Sequence, residues 1–192
     1  MNIENISHPF SSIEKDKLSR IFIVLGVLTL ILMFTLNSIN SQLLNKTAPM
    51  GIVSFELAGT MEHSQKIIAG WGEDGKTYAA LSLGLDYLFL VSYASFLSLG
   101  CVLVTNRLTN TGKLIIVGSL LSWSQLIAGL LDGIENWALI QLLFSTQNEF
   151  YPALAKYCAV PKFLILGCGI LYIVTMLLFS LLSNLIKKET SS

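Results

Sequence analysis

Four ionisable residues interrupt apolar stretches of this sequence and are its first candidates for chemistry: Asp86, Asp132, Glu135 and Lys162. Along helices that rise about 1.5 Å per residue, three of them would lie roughly 12–14 Å from the same side of a membrane, and Asp132 would lie about one turn deeper. Because charged side chains avoid lipid, we expect these residues to face one another or a water-filled cup. The sequence therefore predicts a polar cluster inside a helix bundle.

Three carboxyl groups and one amine leave an excess of negative charge in this predicted cluster. Lys162 can pair with one carboxylate, and the remaining charge must be compensated in another way. A retained proton would make Asp132 or Glu135 a proton-binding group, and a bound cation is the other solution. Each helix also keeps a charge-free stretch of about eighteen residues or more, long enough to span the hydrocarbon. The acids would then form structural salt bridges near the lipid headgroups, and this alternative stays open.

Two further polar side chains fall on the helix faces that carry the acids. Asp132, Glu135 and Asn136 are spaced i, i+3 and i+4, so they share one face. Tyr93 follows Asp86 by seven residues, about two helical turns, and lies on the same face as Asp86. We interpret Asn136 and Tyr93 as donors that orient the carboxylates, which would act as acceptors and proton sites with the lysine as their counter-charge.

The elements that position these residues follow from composition and hydropathy. Hydrophobic residues make up 53% of the 192 residues and charged residues 12%, whereas charged residues average about 25% in soluble domains. About 20 apolar residues span the hydrocarbon as a helix, and backbone groups in lipid must pair internally. The sequence predicts an all-α integral membrane four-helix bundle over residues 21–186, with spans of about 18–40, 78–105, 114–144 and 154–186.

The connection between the first two predicted spans contains a segment of mixed polarity, residues 50–70. Its apolar residues, among them Phe55 and Ile68, recur between acidic, basic and amide side chains, as in an amphipathic helix. Such a helix would lie on the bilayer surface or across the mouth of the bundle. Gly70, Gly72 and Gly75 predict that it ends before the second span begins.

Lysine and arginine residues near the ends of the spans predict the orientation of the chain, because cytoplasmic flanks are enriched in them. The last connection, residues 145–152, carries neither residue type. With the amino terminus inside, the cytoplasmic flanks collect Lys15, Lys17, Arg20, Arg107, Lys113, Lys187 and Lys188. We therefore expect a cytoplasmic arm at 1–20, a cytoplasmic tail at 187–192, and the amphipathic segment outside.

Several classes of function lack their usual signals. The formal net charge is zero, so nothing indicates a nucleic-acid partner. His8 and His63 lie outside the predicted spans, which excludes a bis-histidine haem within the bundle. The sequence contains no G-x-S-x-G motif and no E-x-x-H motif, and its three cysteines lie singly in apolar runs. We predict no catalytic residue, no metal site and no cofactor.

A pattern of short stretches runs along the chain: FELAG (55–59), LGLDYLFLVSYA (83–94), LLDGIENWALIQLL (130–143) and the lysine of PKF (161–163). It resembles a group of small four-span bacterial inner-membrane proteins that have no assigned activity. The resemblance implies the bacterial inner (plasma) membrane, and it implies no function. The pattern includes the residues already singled out by their depth and helix face, namely Asp86, Asp132, Glu135, Asn136 and Lys162. It adds Glu56 to them.

These observations favour a non-enzymatic binding or accessory membrane protein with an outward-facing polar cup. Apart from the lipid bilayer, its partner would be a small ligand, an ion or a partner membrane helix. The first alternative is a small transporter linked to protons or cations. It would act as a homo-oligomer, because four helices leave little room between them for a transport pathway. A carboxylate-based membrane enzyme acting on a lipid or isoprenoid is the second. The candidate binding residues are Glu56, Asp86, Tyr93, Asp132, Glu135, Asn136 and Lys162.

Overall fold

The protein is all-helical over the residues that its computed structural model describes, 7–108, 112–144 and 148–189, with the side chains at 15, 107, 108, 112 and 183–189 excepted. No strand occurs in these ranges. A short 3₁₀ turn, Ser41–Leu43, follows the first α-helix. The α-helices are α1 (Lys15–Asn40), α2 (Ile52–Glu56), α3 (Met61–Leu108), α4 (Gly112–Phe144) and α5 (Phe150–Glu189).

Four of these helices are long and apolar enough to cross a membrane, which confirms the predicted all-α bundle with four spans. The spanning stretches are Asp16–Leu43, Met61–Asn106, Lys113–Phe144 and Phe150–Leu182. Their outward faces carry exposed leucines such as Leu130 and Leu164, as expected of surfaces that contact lipid. The first six residues of the predicted arm and the last three of the predicted tail lie outside the described residues.

The third helix is the centre of the bundle. The first helix packs principally against α3, whereas α5 packs against both α3 and α4. Small residues let α3 and α4 approach closely, since a Cβ added at Gly129 would come within 2.8 Å of the Ala94 Cβ. The helix α1 therefore stands at the side of a compact three-helix unit, and a gap remains between α1 and α5.

The connection from α1 to α3 folds into a cap over one end of the bundle. The sequence predicts a single helix over 50–70, but in the structure residues 57–60 divide it. The first part is α2, and the second part is the beginning of α3. Gly59 (φ 71°) lies in this break. Of the three glycines predicted to end the segment, Gly72 alone has a non-helical backbone (φ 64°, ψ −167°) inside α3. Both breaks occur at positive φ, where glycine is favoured because it lacks a Cβ.

The cap is held by a small apolar core of its own. Phe55, Leu43 and Ile67 are fully or almost fully buried in it. The Trp71 ring packs edge-on against Phe55 at 5.3 Å between centroids, and its Nε1 donates a hydrogen bond to the Leu43 carbonyl at 2.8 Å. These buried apolar side chains thus pack the cap against one end of the bundle.

Candidate ligand-binding site

The centre of the site is a buried lysine between two acids of the neighbouring helix. Lys162 on α5 and Asp132 and Glu135 on α4 are each less than 5% exposed. The Lys162 Nζ lies 2.9 Å from Asp132 Oδ1 and 2.8 Å from Glu135 Oε2. The i, i+3 spacing on α4 places both acids on the face that meets α5. The predicted counter-charge thus pairs with two carboxyl groups rather than one.

The cap contributes a third acid to this lysine. Glu56 is the last residue of α2, and its Oε2 lies 3.7 Å from the Lys162 Nζ. Asn40 at the end of α1 fixes the start of α2, because its Oδ1 accepts a hydrogen bond from the Ile52 backbone N–H at 2.8 Å. Burial raises the pKa of the Glu56 carboxyl above its ordinary value of 4.5, and the positive charge of Lys162 opposes this rise.

The two predicted orienting donors both contact carboxylates. The Tyr93 hydroxyl donates a hydrogen bond to Asp132 Oδ2 at 2.6 Å. The Asn136 side-chain amide donates to Asp86 Oδ2. Asp86 is half-buried, and among the described side chains it forms no ion pair. The structure thus brings all seven predicted residues together, and Asp86 is the one acid of the four in this cluster that forms no ion pair with a described side chain.

The charge of this cluster is not balanced by protein groups. Four carboxyl groups and one lysine would carry a net charge of −3 if all were ionised. No described group donates a hydrogen bond to Glu135 Oε1 or to Glu56 Oε2, whereas Glu135 Oε2 lies 2.8 Å from the Lys162 Nζ. Buried carboxylates without hydrogen bonds are costly. Retained protons or a cationic partner would remove this cost.

A cavity of about 260 Å³ adjoins the cluster beneath α2, in the gap between α1 and α5. Glu135 is not part of its wall and lies behind the other acids. The polar wall consists of Asn37, Asn40, Glu56, Ser82, Asp86, Tyr93, Asp132, Asn136 and Lys162. The apolar wall consists of Leu36, Ile52, Val53, Leu83, Phe89, Phe163 and Leu166. The cavity is therefore lined by both polar and apolar side chains.

Some polar residues of the site were not among the predicted candidates. Asn37 and Asn40 on α1 line the cavity, and no sequence signal placed α1 near the acids. Gln125 is fully buried on α4, where its Nε2 donates to the Ile165 carbonyl at 3.1 Å and its Oε1 accepts no hydrogen bond from described groups. Gln125 precedes Asp132 by seven residues, so helical spacing alone could have found it.

Buried polar side chains continue beyond the cluster, away from the cap. Ser98 and Ser122 pair through their hydroxyl groups at 2.8 Å, and Thr105 pairs with the Tyr172 hydroxyl at 2.8 Å. Both pairs join α3 to a neighbouring helix. Because an unpaired polar group in the bundle would be costly, these pairs fix the register of the helices.

Among the described residues, no group of three or more His, Cys, Asp or Glu side chains has an arrangement that could hold a metal ion. No known protein family, curated protein or solved structure matches the chain. The function must therefore be argued from the cavity and the cluster.

Proposed function

We propose that the protein is a membrane binding protein that holds a small molecule in the cavity beneath α2, against the polar cluster. The observation that supports this proposal is the cavity itself, which brings charged and apolar side chains around one space. Ligand pockets are commonly apolar cavities with a few convergent polar groups. A ligand with one polar end and one apolar part would match both walls.

Energetics support a functional rather than a purely structural cluster. An apolar core of similar volume is often as stable as a buried ion pair, because desolvation of the charges offsets their attraction. Here Lys162 meets two acids at hydrogen-bonding distance and a third at 3.7 Å, which exceeds what one ion pair requires. Ionisable residues within a membrane bundle are in general retained for function. The surplus acids are thus best explained by something that they bind.

The polar groups beyond the cluster favour binding over conduction. Asp132 and Gln125 are seven residues apart on α4, about 10 Å along the helix axis. The hydroxyl pairs at Ser98 and Thr105 join neighbouring helices rather than one another. Described side chains form separate pairs here instead of one hydrogen-bonded chain through the bundle. This arrangement suits a site that is open at one end.

We further propose the bacterial inner membrane as the location, with both termini in the cytoplasm. The distribution of lysine and arginine supports this orientation, because the residues that flank the spans on the terminal side are the richer in both. The cap that contains α2 then lies outside, and the cavity belongs to the outer half of the membrane. A ligand would reach it from the outer leaflet or from the external solvent.

A variant that fills the cavity tests the binding proposal. Asn37 is exposed and lines the cavity mouth, so Asn37→Trp would occupy the space, whereas Thr35→Trp adds the same ring to α1 at an exposed position away from the cavity. The proteins are placed in phosphatidylcholine nanodiscs, and thermal midpoints are measured with octylamine, octanoate and octyl glucoside. A ligand that binds the folded state raises the midpoint.

We expect at least one probe to raise the midpoint of the wild type and of the Thr35→Trp control, and to leave Asn37→Trp unchanged. Equal shifts in all three proteins would mean that the probe acts through the lipid or another surface. That result, or no shift with any of the probes, would refute binding in this cavity.

A further inference from the structure

The cavity wall selects the charge of its ligand. Lys162 is already surrounded by Asp132, Glu135 and Glu56, so it offers little attraction to an incoming anion. Asp86 lines the cavity, and its hydrogen bond from Asn136 leaves its charge uncompensated. The Oε2 of Glu56, a residue only 8% exposed and part of the same wall, also accepts no hydrogen bond from described groups. The wall thus presents unmet acceptors and excess negative charge.

The apolar residues that line the cavity favour an organic cation over a metal ion as its ligand. No set of three metal-ligating side chains is arranged for a metal among the described residues. Phe89 lies one turn from Asp86 on α3 and lines the same space. Phe163 on α5 also lines it, and the Lys162 Nζ lies 4.7 Å from the centroid of its ring. Aromatic rings attract ammonium groups through their faces, and they also pack against alkyl chains.

The position of the cavity gives an amphiphile a lateral path. Leu36 on α1 and Leu166 on α5 both line the cavity. Since α1 packs principally against α3, and α5 packs against α3 and α4, a gap between α1 and α5 would face the lipid in a membrane. An alkyl chain could remain in this gap, in contact with lipid, while its polar end reaches the acids.

We infer that the ligand is a small amphiphile with a protonated amine, whose ammonium group pairs with Asp86 and whose alkyl part lies between α1 and α5. This inference rests on the proposed binding function and names the chemical class of its ligand. The ammonium group supplies the hydrogen bonds and positive charge that the wall lacks. The amine belongs either to a free alkylamine or to the headgroup of a membrane lipid, which present the same group to Asp86.

The test measures the affinity of octylamine for the protein in phosphatidylcholine nanodiscs at pH 7, from the dependence of the thermal midpoint on probe concentration. Asp86→Asn removes the charge but keeps an oxygen that can accept the hydrogen bond from Asn136, so the fold is retained. Asp74→Asn removes the same charge from an exposed site and serves as the matched control. Asp86→Glu keeps the carboxylate. Binding that is retained in Asp86→Glu would show that weaker binding in Asp86→Asn comes from the lost charge and not from misfolding.

We expect Asp86→Asn to weaken octylamine binding at least about tenfold, because a charge-assisted hydrogen bond is lost. The Asp74→Asn control should match the wild type, and Asp86→Glu should bind within a few-fold of it. Unchanged affinity in Asp86→Asn would overturn the inference. If octanoate or octyl glucoside instead gave the shift that Asn37→Trp abolishes, the cavity would be a binding site and the amine inference alone would fail.

Replacing part of the phosphatidylcholine by phosphatidylethanolamine separates the two sources of the amine. A headgroup that occupies the site would compete with octylamine and weaken its apparent affinity in the wild type but not in Asp86→Asn. No competition would assign the site to a free alkylamine. Competition and its absence both leave the ammonium group as the part of the ligand that the cavity recognises. In either case octylamine binds the wild type and requires Asp86.

Discussion

Replacement of the buried lysine tests the electrostatics of the whole cluster. The Lys162 Nζ lies 2.9 Å from Asp132 Oδ1 and 2.8 Å from Glu135 Oε2. At an effective dielectric constant of about 20, each such contact contributes an attraction of roughly 6 kcal/mol before desolvation is counted. Lys162→Met keeps an unbranched side chain that is one atom shorter, and it removes this attraction. Loss of one partner from a buried pair typically costs about 3–5 kcal/mol, because the other charge stays buried.

The magnitude converts into a measurable change in thermal midpoint. For a chain of this size, 1 kcal/mol corresponds to roughly 2–4 °C, so Lys162→Met should lower the midpoint by about 6–20 °C in nanodiscs. Lys66→Met is the matched control, since Lys66 pairs with Glu62 through side chains that are 65% and 79% exposed. Exposed pairs contribute little to stability, and the control should behave as the wild type.

A double variant shows whether the loss arises from stranded carboxylates. Glu135→Gln neutralises an acid that loses its close partner, the Lys162 Nζ at 2.8 Å, so Lys162→Met with Glu135→Gln should recover part of the stability. A midpoint for Lys162→Met no lower than that of the Lys66→Met control would refute the reasoning. The lysine would then contribute no net electrostatic stabilisation to the fold.

Two further predictions concern the cap. Burial raises the folded-state pKa of Glu56, so its neutral form stabilises the fold at low pH, and that stabilisation is lost as pH rises from 4.5 through the raised pKa. Glu56→Gln should therefore match the wild-type thermal midpoint near pH 4.5 and exceed it increasingly toward pH 8. A difference in midpoint that does not depend on pH would contradict this reasoning. Gly51 has φ 62°, and a Cβ there would clash with the Asn40 side chain, so Gly51→Ala should lower the free energy of chemical unfolding by about 1–3 kcal/mol. Gly84→Ala is the control, because a Cβ at Gly84 meets open space, and it should cost nothing. Equal losses in the two variants would contradict the strained backbone conformation of Gly51.

The bundle and the meeting of the acids with the lysine could be predicted from the sequence for a simple geometric reason. Lipid forces the apolar stretches into helices, and a fixed rise per residue then converts sequence position into depth. Asp86 and Lys162 share a depth by this measure, Asp132 lies about one turn deeper, and the structure places all three around one space. Their role in binding a ligand stays a prediction.

The pairing within the cluster could not be predicted, because depth says nothing about how helices are rotated. Lys162 faces Asp132 and Glu135, while Asp86 on α3 is turned toward Asn136. The rotation is set by small-residue contacts between α3 and α4, such as that of Gly129 with Ala94. Such contacts become visible only once the helices are packed.

The cap was the least predictable part of the chain. The helix α2 has five residues, too few to be stable by local propensity, and tertiary packing of Phe55 supports it. Its acid Glu56 was suggested only by resemblance. The contribution of Asn37 and Asn40 depends on how α1 packs against α3, which hydropathy does not reveal.

The division of the cluster between α4 and α5 has a consequence for how the protein enters the membrane. Asp132 and Glu135 are synthesised before Lys162, their only close cation among the described residues. Left alone in lipid, a buried acid costs about 2.5–3.5 kcal/mol on insertion scales. Since few residues separate α4 from α5, we expect the two helices to leave the translocation channel together as a hairpin that is already paired. The cap with Glu56 would then dock last, although it was made before either helix.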